Sequence, residues 1–245
     1  FEYFNQEQII NIYRYIMLEQ RVLFFSSNYT LLNPFIYGMI SLLYPFEYQY
    51  QVVTILPEDN FITLESITPF IGGINMTYDD NFFSDRDLTI SDHVVIVDID
   101  HSQISIVIPT ELGDFQVVDF CKDIPEFPKN SRKRIEKSLN NIISDLNKKR
   151  SQDKGESKTE LKREGHIGMP NITIDTTFND NISEAFFDFN ANLLASYSKY
   201  LNFDFYSSQG MPDFDSLFKL EECLKEFYSC DKDFYSKFLS ETQIF

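Results

Sequence analysis

Tryptophan is absent from these 245 residues, glycine is held to 8 and cysteine to 3. The three thiols, Cys121, Cys223 and Cys230, are too few and too irregularly spaced for a disulfide framework or a zinc site. They read as reduced core or surface thiols. No apolar run approaches the roughly 18 residues that a membrane-spanning helix needs, and no secretory pattern opens the chain. The start at Phe1 rather than Met leads us to expect a piece of a longer protein. Asn-x-Ser/Thr triplets at Asn28, Asn75, Asn171 and Asn181 read as chance in an Asn-rich chain without a leader. The expected location is cytoplasmic.

Positive charge is also scarce. Lys and Arg number 21 against 38 Asp and Glu, a net charge of −17, which excludes nucleic acid as the expected partner. The balance is uneven, however. Residues 129–164 hold 12 of the 21 cations and 6 of the 38 acids, a net of +6, and the remainder carries −23. Such a block reads first as a solvated helix end and tether. Residues 148–164 are also the expected contact to an anionic membrane surface.

What is abundant is apolar and aromatic: 25 Phe and 14 Tyr, enough for a large core. Helical spacing of Ile9, Ile10, Ile12, Tyr13, Ile16 and Met17 predicts a helix over 6–18. Residues 21–26 follow as a buried strand, and Asn33-Pro34 reads as the cap and first turn of a helix reaching Tyr44, where Pro45 stops it. Strands are expected over 52–56, 69–74 and 93–99, with a short helix at 58–65 and a polar stretch at 75–92. Continuous apolar strands between helical segments predict a parallel sheet covered on both faces. An amphipathic helix is expected over 130–147, a charged loop over 148–170, and helices near 182–202, 213–224 and 231–240. The fold class is therefore α/β: a three-layer lobe with a mostly parallel sheet flanked by helices, then a C-terminal helical segment. The expected division is an α/β core over 1–147, a charged flexible loop over 148–178 and a helical segment over 179–245.

Several segments, taken in order, resemble the DENN domain family. Leu18-Glu19-Gln20-Arg21-Val22-Leu23-Phe24-Phe25-Ser26-Ser27 looks like its "LLERRIIFSS" strand, and Leu42-Leu43-Tyr44-Pro45-Phe46 like its "LLYPF" helix end. Ile55-Leu56-Pro57, Thr68-Pro69-Phe70-Ile71-Gly72-Gly73 and Val94–Asp100 resemble "PILP", "PFIIGV" and "VVIVDLD". Phe186-Phe187-Asp188-Phe189 with Leu194, Tyr197 and Tyr200-Leu201 resembles a C-terminal helix of the family, and residues 238–245 resemble its terminal segment. Gly73 stands where the family usually has Val, and Tyr48 where an aromatic, often Trp, is expected. The family's N-terminal longin-like lobe is not represented. The resemblance thus implies the C-terminal lobe, cDENN plus dDENN, with that other lobe as a partner.

For activity, the resemblance implies a guanine-nucleotide exchange factor for a Rab-family small GTPase, acting in membrane trafficking, cytoplasmic and peripheral on endomembranes. Exchange needs no covalent chemistry and no cofactor. It is a coupling free energy between factor and nucleotide on the GTPase. The alternative within the fold is a scaffold in a larger complex without exchange activity. A complex stimulating GTP hydrolysis would need an arginine finger. Arg21 is the one Arg in the motif-rich segment, but it suits an ion pair with Glu19 or Asp100 better.

A second class comes from VVIVDIDHS at 94–102, an apolar strand running into Asp98-x-Asp100. That pattern suggests a magnesium-dependent phosphatase or a nucleotide-sugar transferase. His101-Ser102 stands where a phosphatase of this type carries Gly-Thr, and the strand comes too late in the order. The simpler reading makes both carboxylates turn caps. Gly72-Gly73 lacks the Gly-Lys-Ser/Thr of a phosphate loop and reads as a close backbone approach. His93, His101 and His166 show no metal spacing, with His93 and His166 expected in solvent.

No motif marks GTPase contacts, so the candidates follow from topology, since open α/β sheets bind at the carboxyl ends of their strands. They are Ser27 and Asn28, Glu58 and Asp59, Asn75, Tyr78 and Asp79, and Asp98, Asp100 and Gln103, with Ser26 beside them. Tyr48 and Tyr50 are aromatic anchor candidates, or else pack beside the strand at 52.

Overall fold

The computed structural model describes residues 3–110, 113–119, 121, 123–156, 176–195, 197–201, 218–227 and 231–243. Helix α1 (Gln6–Met17) opens with a capping box: Asn5 Oδ1 accepts from the Gln8 amide at 2.9 Å, and Gln8 Oε1 accepts from the Asn5 amide at 3.0 Å. Strand β1 (Val22–Phe25) follows, then α2 (Tyr29–Ser41). The cap of α2 is Asn28, whose Oδ1 accepts from the Thr30 amide at 3.1 Å and the Thr30 hydroxyl at 2.7 Å. The helix thus starts one turn before the expected Asn33-Pro34 and carries Pro34 inside it.

Strands β2 (Gln51–Val53), β3 (Phe70–Ile74), β4 (Val94–Asp98), β5 (Gln103–Pro109) and β6 (Phe115–Val118) complete a six-stranded sheet in the order β2-β3-β1-β4-β5-β6. The first four strands are parallel. β5 and β6 join antiparallel, a hairpin extension the sequence reading did not foresee. Long α3 (Lys129–Glu156) and α4 (Thr176–Leu193) pack along each other, and short α5 (Leu220–Lys225) and α6 (Lys232–Ser240) follow. α3 runs past the expected end at 147, and α4 begins before 182 and ends before 202. His166, Cys230, residues 157–170 of the expected 148–170 loop and residues 213–217 of the expected 213–224 helix lie outside the described residues.

Alternation along the strands divides the core in two. Val22, Phe24, Ile71, Val95, Val97 and Ile106 point to the face covered by the α-helices. Leu23, Phe25, Ile74, Val94, Ile96 and Val107 point to the other face, with Phe61, Leu64, Phe82, Phe83, Leu88 and Ile90. That third layer is built from 3₁₀ turns, Glu58–Glu65 and Ser84–Arg86, and the intervening chain rather than from α-helices. The stretch 75–92 is polar in composition but buries four large apolar side chains. Gly73 is the close approach expected of it: a Cβ there would stand 2.0 Å from the Thr54 carbonyl oxygen.

The helical side is also held by ions and polar contacts. Arg132 on α3 reaches Glu7 at 3.1 Å, Glu126 at 2.7 Å and Glu136 at 2.9 Å. Arg14 is buried against Glu126. Asn190 of α4, fully buried, donates to the carbonyls of Leu42, Leu43 and Tyr44 at 3.1, 3.1 and 2.9 Å.

Candidate functional site

Because β2, β3, β1 and β4 run parallel, their carboxyl ends share one edge of the sheet. Phe25 registers with Ile74 on one side and Asp98 on the other, so the residues after each strand emerge together. Ser26, Ser27, Asn28, Asn75, Asp98 and Asp100 meet there. Gln103 pairs with Asp98 across the β4–β5 hairpin. Tyr78 packs its ring against Phe25 at 5.0 Å between centroids.

Both carboxylates of the Asp-x-Asp pair cap turns. Asp98 Oδ1 accepts from the His101 amide at 3.1 Å, and its Oδ2 lies 2.7 Å from His101 Nδ1. Asp100 Oδ1 accepts from the Ser26 hydroxyl at 2.6 Å, and its Oδ2 accepts from the Ser27 amide at 2.7 Å. The sequence pattern has a structural cause. β4 is buried along its whole length, so its end must turn sharply into β5, and acidic side chains tie down the amides of that turn and of the neighbouring β1–α2 turn. Ser102 takes the left-handed conformation, φ 56°, to complete the hairpin, and its carbonyl accepts from Gln8 Nε2 at 2.7 Å. Gln8, which the sequence reading passed over, therefore serves the α1 cap with its oxygen and the strand-end turn with its amide nitrogen.

The electrostatics follow from these bonds. Burial works against the Asp100 carboxylate, but the Ser26 and Ser27 donors outweigh it and hold the group below its ordinary range. The hydrogen bond to Asp98, and then its charge, raises the His101 imidazole above its ordinary range. Burial, reinforced by Asp80, pushes the Tyr78 phenol up to about 12. Asp79 caps its own turn through the Asn81 amide at 3.1 Å. Glu58 and Asp59 stand exposed at the start of the 3₁₀ turn after β2, and their side chains make no hydrogen bond or ion pair among the described residues.

Two expectations, on Arg21 and His93, are corrected, and two aromatic candidates stand apart from this edge. Tyr48 and Tyr50 precede β2 and so lie at the amino end of the sheet, away from this cluster. Tyr48 is half-buried, with its hydroxyl enclosed near Glu19, and burial carries its phenol far above the ordinary range. Arg21 pairs with neither Glu19 nor Asp100. It is 4% exposed and donates to the carbonyls of Ser66 at 3.1 Å and His93 at 3.0 Å, tying the amino ends of three strands together. A side chain so fixed cannot reach a nucleotide. His93 is buried rather than solvated, with Nε2 2.6 Å from Gln20 Oε1 and Nδ1 2.8 Å from Asp92 Oδ1. Burial pushes its imidazole down, with Asp92 opposing.

Among the described residues no three His, Cys, Asp or Glu side chains group as metal ligands, and no helix is long and apolar enough to cross a membrane. The strand-end cluster offers a hydrogen-bonding surface of hydroxyls, amides and carboxylates. The DENN (AEX-3) domain family matches residues 1–102. Over that span the chain is DENN-like. The matched span runs from α1 through all four parallel strands and closes on the Asp98–Ser102 turn. Elicitor of plant defense protein 1 from Fusarium odoratissimum is 31% identical over 104 residues, 42% of this chain and 10% of the relative. Human DENN domain-containing protein 2D is 31% identical over 72 residues, 29% of this chain and 15% of the relative. Mouse DENN domain-containing protein 3 is 30% identical over 102 residues, 42% of this chain and 8% of the relative. The matched segments thus span a small fraction of these proteins' lengths.

Proposed function

We propose that this DENN-like chain binds a Rab-family small GTPase at the carboxyl edge of its parallel sheet and promotes release of GDP. The observation that carries this reading is the DENN match over residues 1–102, which takes in every parallel strand and the Asp98–Ser102 turn. The geometry suits it. Exchange is differential binding of nucleotide-free and nucleotide-bound GTPase, and such binding wants a preorganised surface. Ser26, Asp98, Asp100 and Gln8 hold the turns of this edge rigid, while Glu58, Asp59, Asn75 and Gln103 stand free on it as contacts. In this reading the capping residues position the loops, and the exposed residues touch the switch segments. The buried Arg21 is not placed to serve as an arginine finger. Residues 148–164 supply a contact to anionic lipid near a membrane-anchored GTPase.

The test is capture of a Rab panel, each member nucleotide-free, GDP-loaded and GTP-loaded. Preferential capture of one nucleotide-free GTPase, with accelerated release of labelled GDP, is the expected result. Capture of only GTP-loaded forms would replace exchange with an effector or scaffold role.

A further inference from the structure

α3 and α4 enclose a groove of 370 Å³, none of whose lining residues belongs to the strand-end cluster. Arg134 and Lys137, three residues apart on α3 and so on one face, line one wall, with Ser138 and Asn141 beside them. Asp188 stands on the α4 wall, and the floor is apolar, formed by Ile135 and Phe189. The charge arrangement is unusual for this chain. Acids outnumber cations 38 to 21, and the neighbouring Arg132 is shared by three carboxylates, yet Arg134 and Lys137 make no ion pair among the described residues. Two cations that make no ion pair among the described residues line one concavity of ligand size, opposite a single carboxylate.

We propose that this groove binds a phosphorylated polyol: a carbon ring bearing both phosphates and free hydroxyls. Arg134 offers its planar fork to one phosphate, and Lys137 its point charge to the same or the next. Ser138 and Asn141 supply neutral donors. Asp188 is repulsive to a phosphate but is a good acceptor for a ring hydroxyl, so it favours a partly phosphorylated ring over an inorganic anion. Ile135 and Phe189 match the apolar face of such a ring. The ligand is either a lipid headgroup or a free polyol phosphate. The sequence carries Lys148, Lys149, Arg150 and Lys154 further along, which suits a membrane source.

The 245-residue chain is titrated with inositol 1,4,5-trisphosphate by calorimetry. It is also floated with phosphatidylcholine vesicles containing either phosphatidylinositol 4,5-bisphosphate or charge-matched phosphatidylserine. Saturable binding is expected, weakened at least about tenfold in the Arg134→Gln/Lys137→Gln variant, because each removes a charge-assisted hydrogen bond. Lys148→Gln, outside the groove, leaves solution binding unchanged. Both altered positions are exposed, and circular dichroism checks that the fold persists. Phosphoinositide-selective flotation lost in the double variant assigns the ligand to the membrane. Solution binding without selective flotation assigns it to a free polyol phosphate. The proposal is overturned if neither probe binds, if the double variant binds as well as the original chain, or if phosphatidylserine vesicles retain the chain equally and inositol 1,4,5-trisphosphate does not bind in solution.

Discussion

The Tyr13 hydroxyl donates to Asn190 Oδ1 at 2.5 Å, across 177 residues of sequence. Both side chains are fully buried, and the Asn190 amide nitrogen donates onward to three carbonyls at the end of α2. One asparagine thus joins the DENN-like α/β half to the C-terminal helices. Burial carries the Tyr13 phenol far above its ordinary range, so it remains a donor at any pH the fold survives. Asn190→Ala is expected to cost about 3 kcal/mol, because it strands a buried hydroxyl and several carbonyls. Tyr13→Phe, which strands a single acceptor, is expected to cost about 1–2 kcal/mol. The double variant should lose less than the two singles together, since the groups share one network. Urea unfolding of the four proteins measures all three quantities.

Gly73 tests the packing of β3 against the chain after β2. An added Cβ would meet the Thr54 carbonyl at 2.0 Å, and backbone cannot swing aside. At Gly72 the nearest atom is Leu23 Cδ2 at 2.8 Å, the end of a side chain that can rotate. Gly73→Val is expected to destabilise by on the order of 3 kcal/mol, and Gly72→Ala by distinctly less. Equal costs would mean that the 54–56 segment moves freely away from β3.

How far the fold could be read from sequence depended on where the decisive contacts were. α1 and the four parallel strands announced themselves through local apolar runs, and the strand-end cluster followed from their order. The β5–β6 extension did not, because its entry turn uses Ser102 in a left-handed conformation that gives no glycine signal. Residues 75–92 hid Phe82, Phe83, Leu88 and Ile90 among polar neighbours, with neither helical nor strand period. The start of α2 was misplaced because two cap signals compete, and Asn28 prevails through its bonds to Thr30. Asn190 looked like one polar residue on an apolar face. Its partners lie 146 to 177 residues away, beyond any local pattern. Arg21 and His93 fail for the same reason, since their burial is decided by the packing of distant strands.

His101 and Asp100, neighbours in one turn, titrate with opposite consequences. The imidazole of His101 is raised above its unfolded value, so its contribution is fully present below about pH 6.5 and is lost as pH rises through the folded value. The carboxyl of Asp100 is lowered, so its contribution is present above about pH 4 and is lost as pH falls through the folded value. NMR titration should place His101 above an ordinary histidine, and Asp98→Asn should bring it back down. Ser26→Ala should raise the Asp100 value and leave His101 nearly unmoved. A His101 titration indifferent to Asp98→Asn would break the proposed cause.

The strand-end residues fall into two groups that mutation can separate. Asp98 and Asp100 spend their oxygens on the turns, so Asp98→Ala or Asp100→Ala should lower stability by about 1 kcal/mol, and GTPase capture should fall with it. Glu58 and Asp59 hold nothing in the fold. Charge reversal of both, Glu58→Lys with Asp59→Lys, should therefore leave the melting temperature unchanged. If these carboxylates face basic residues on the GTPase, association should slow about tenfold at low salt, and the difference should shrink as salt screens it. Stopped-flow exchange at several ionic strengths, run beside thermal melts, measures both. A double reversal that changes neither capture nor its salt dependence would move the GTPase footprint away from the β2 end of this edge, towards Asn75 and Gln103.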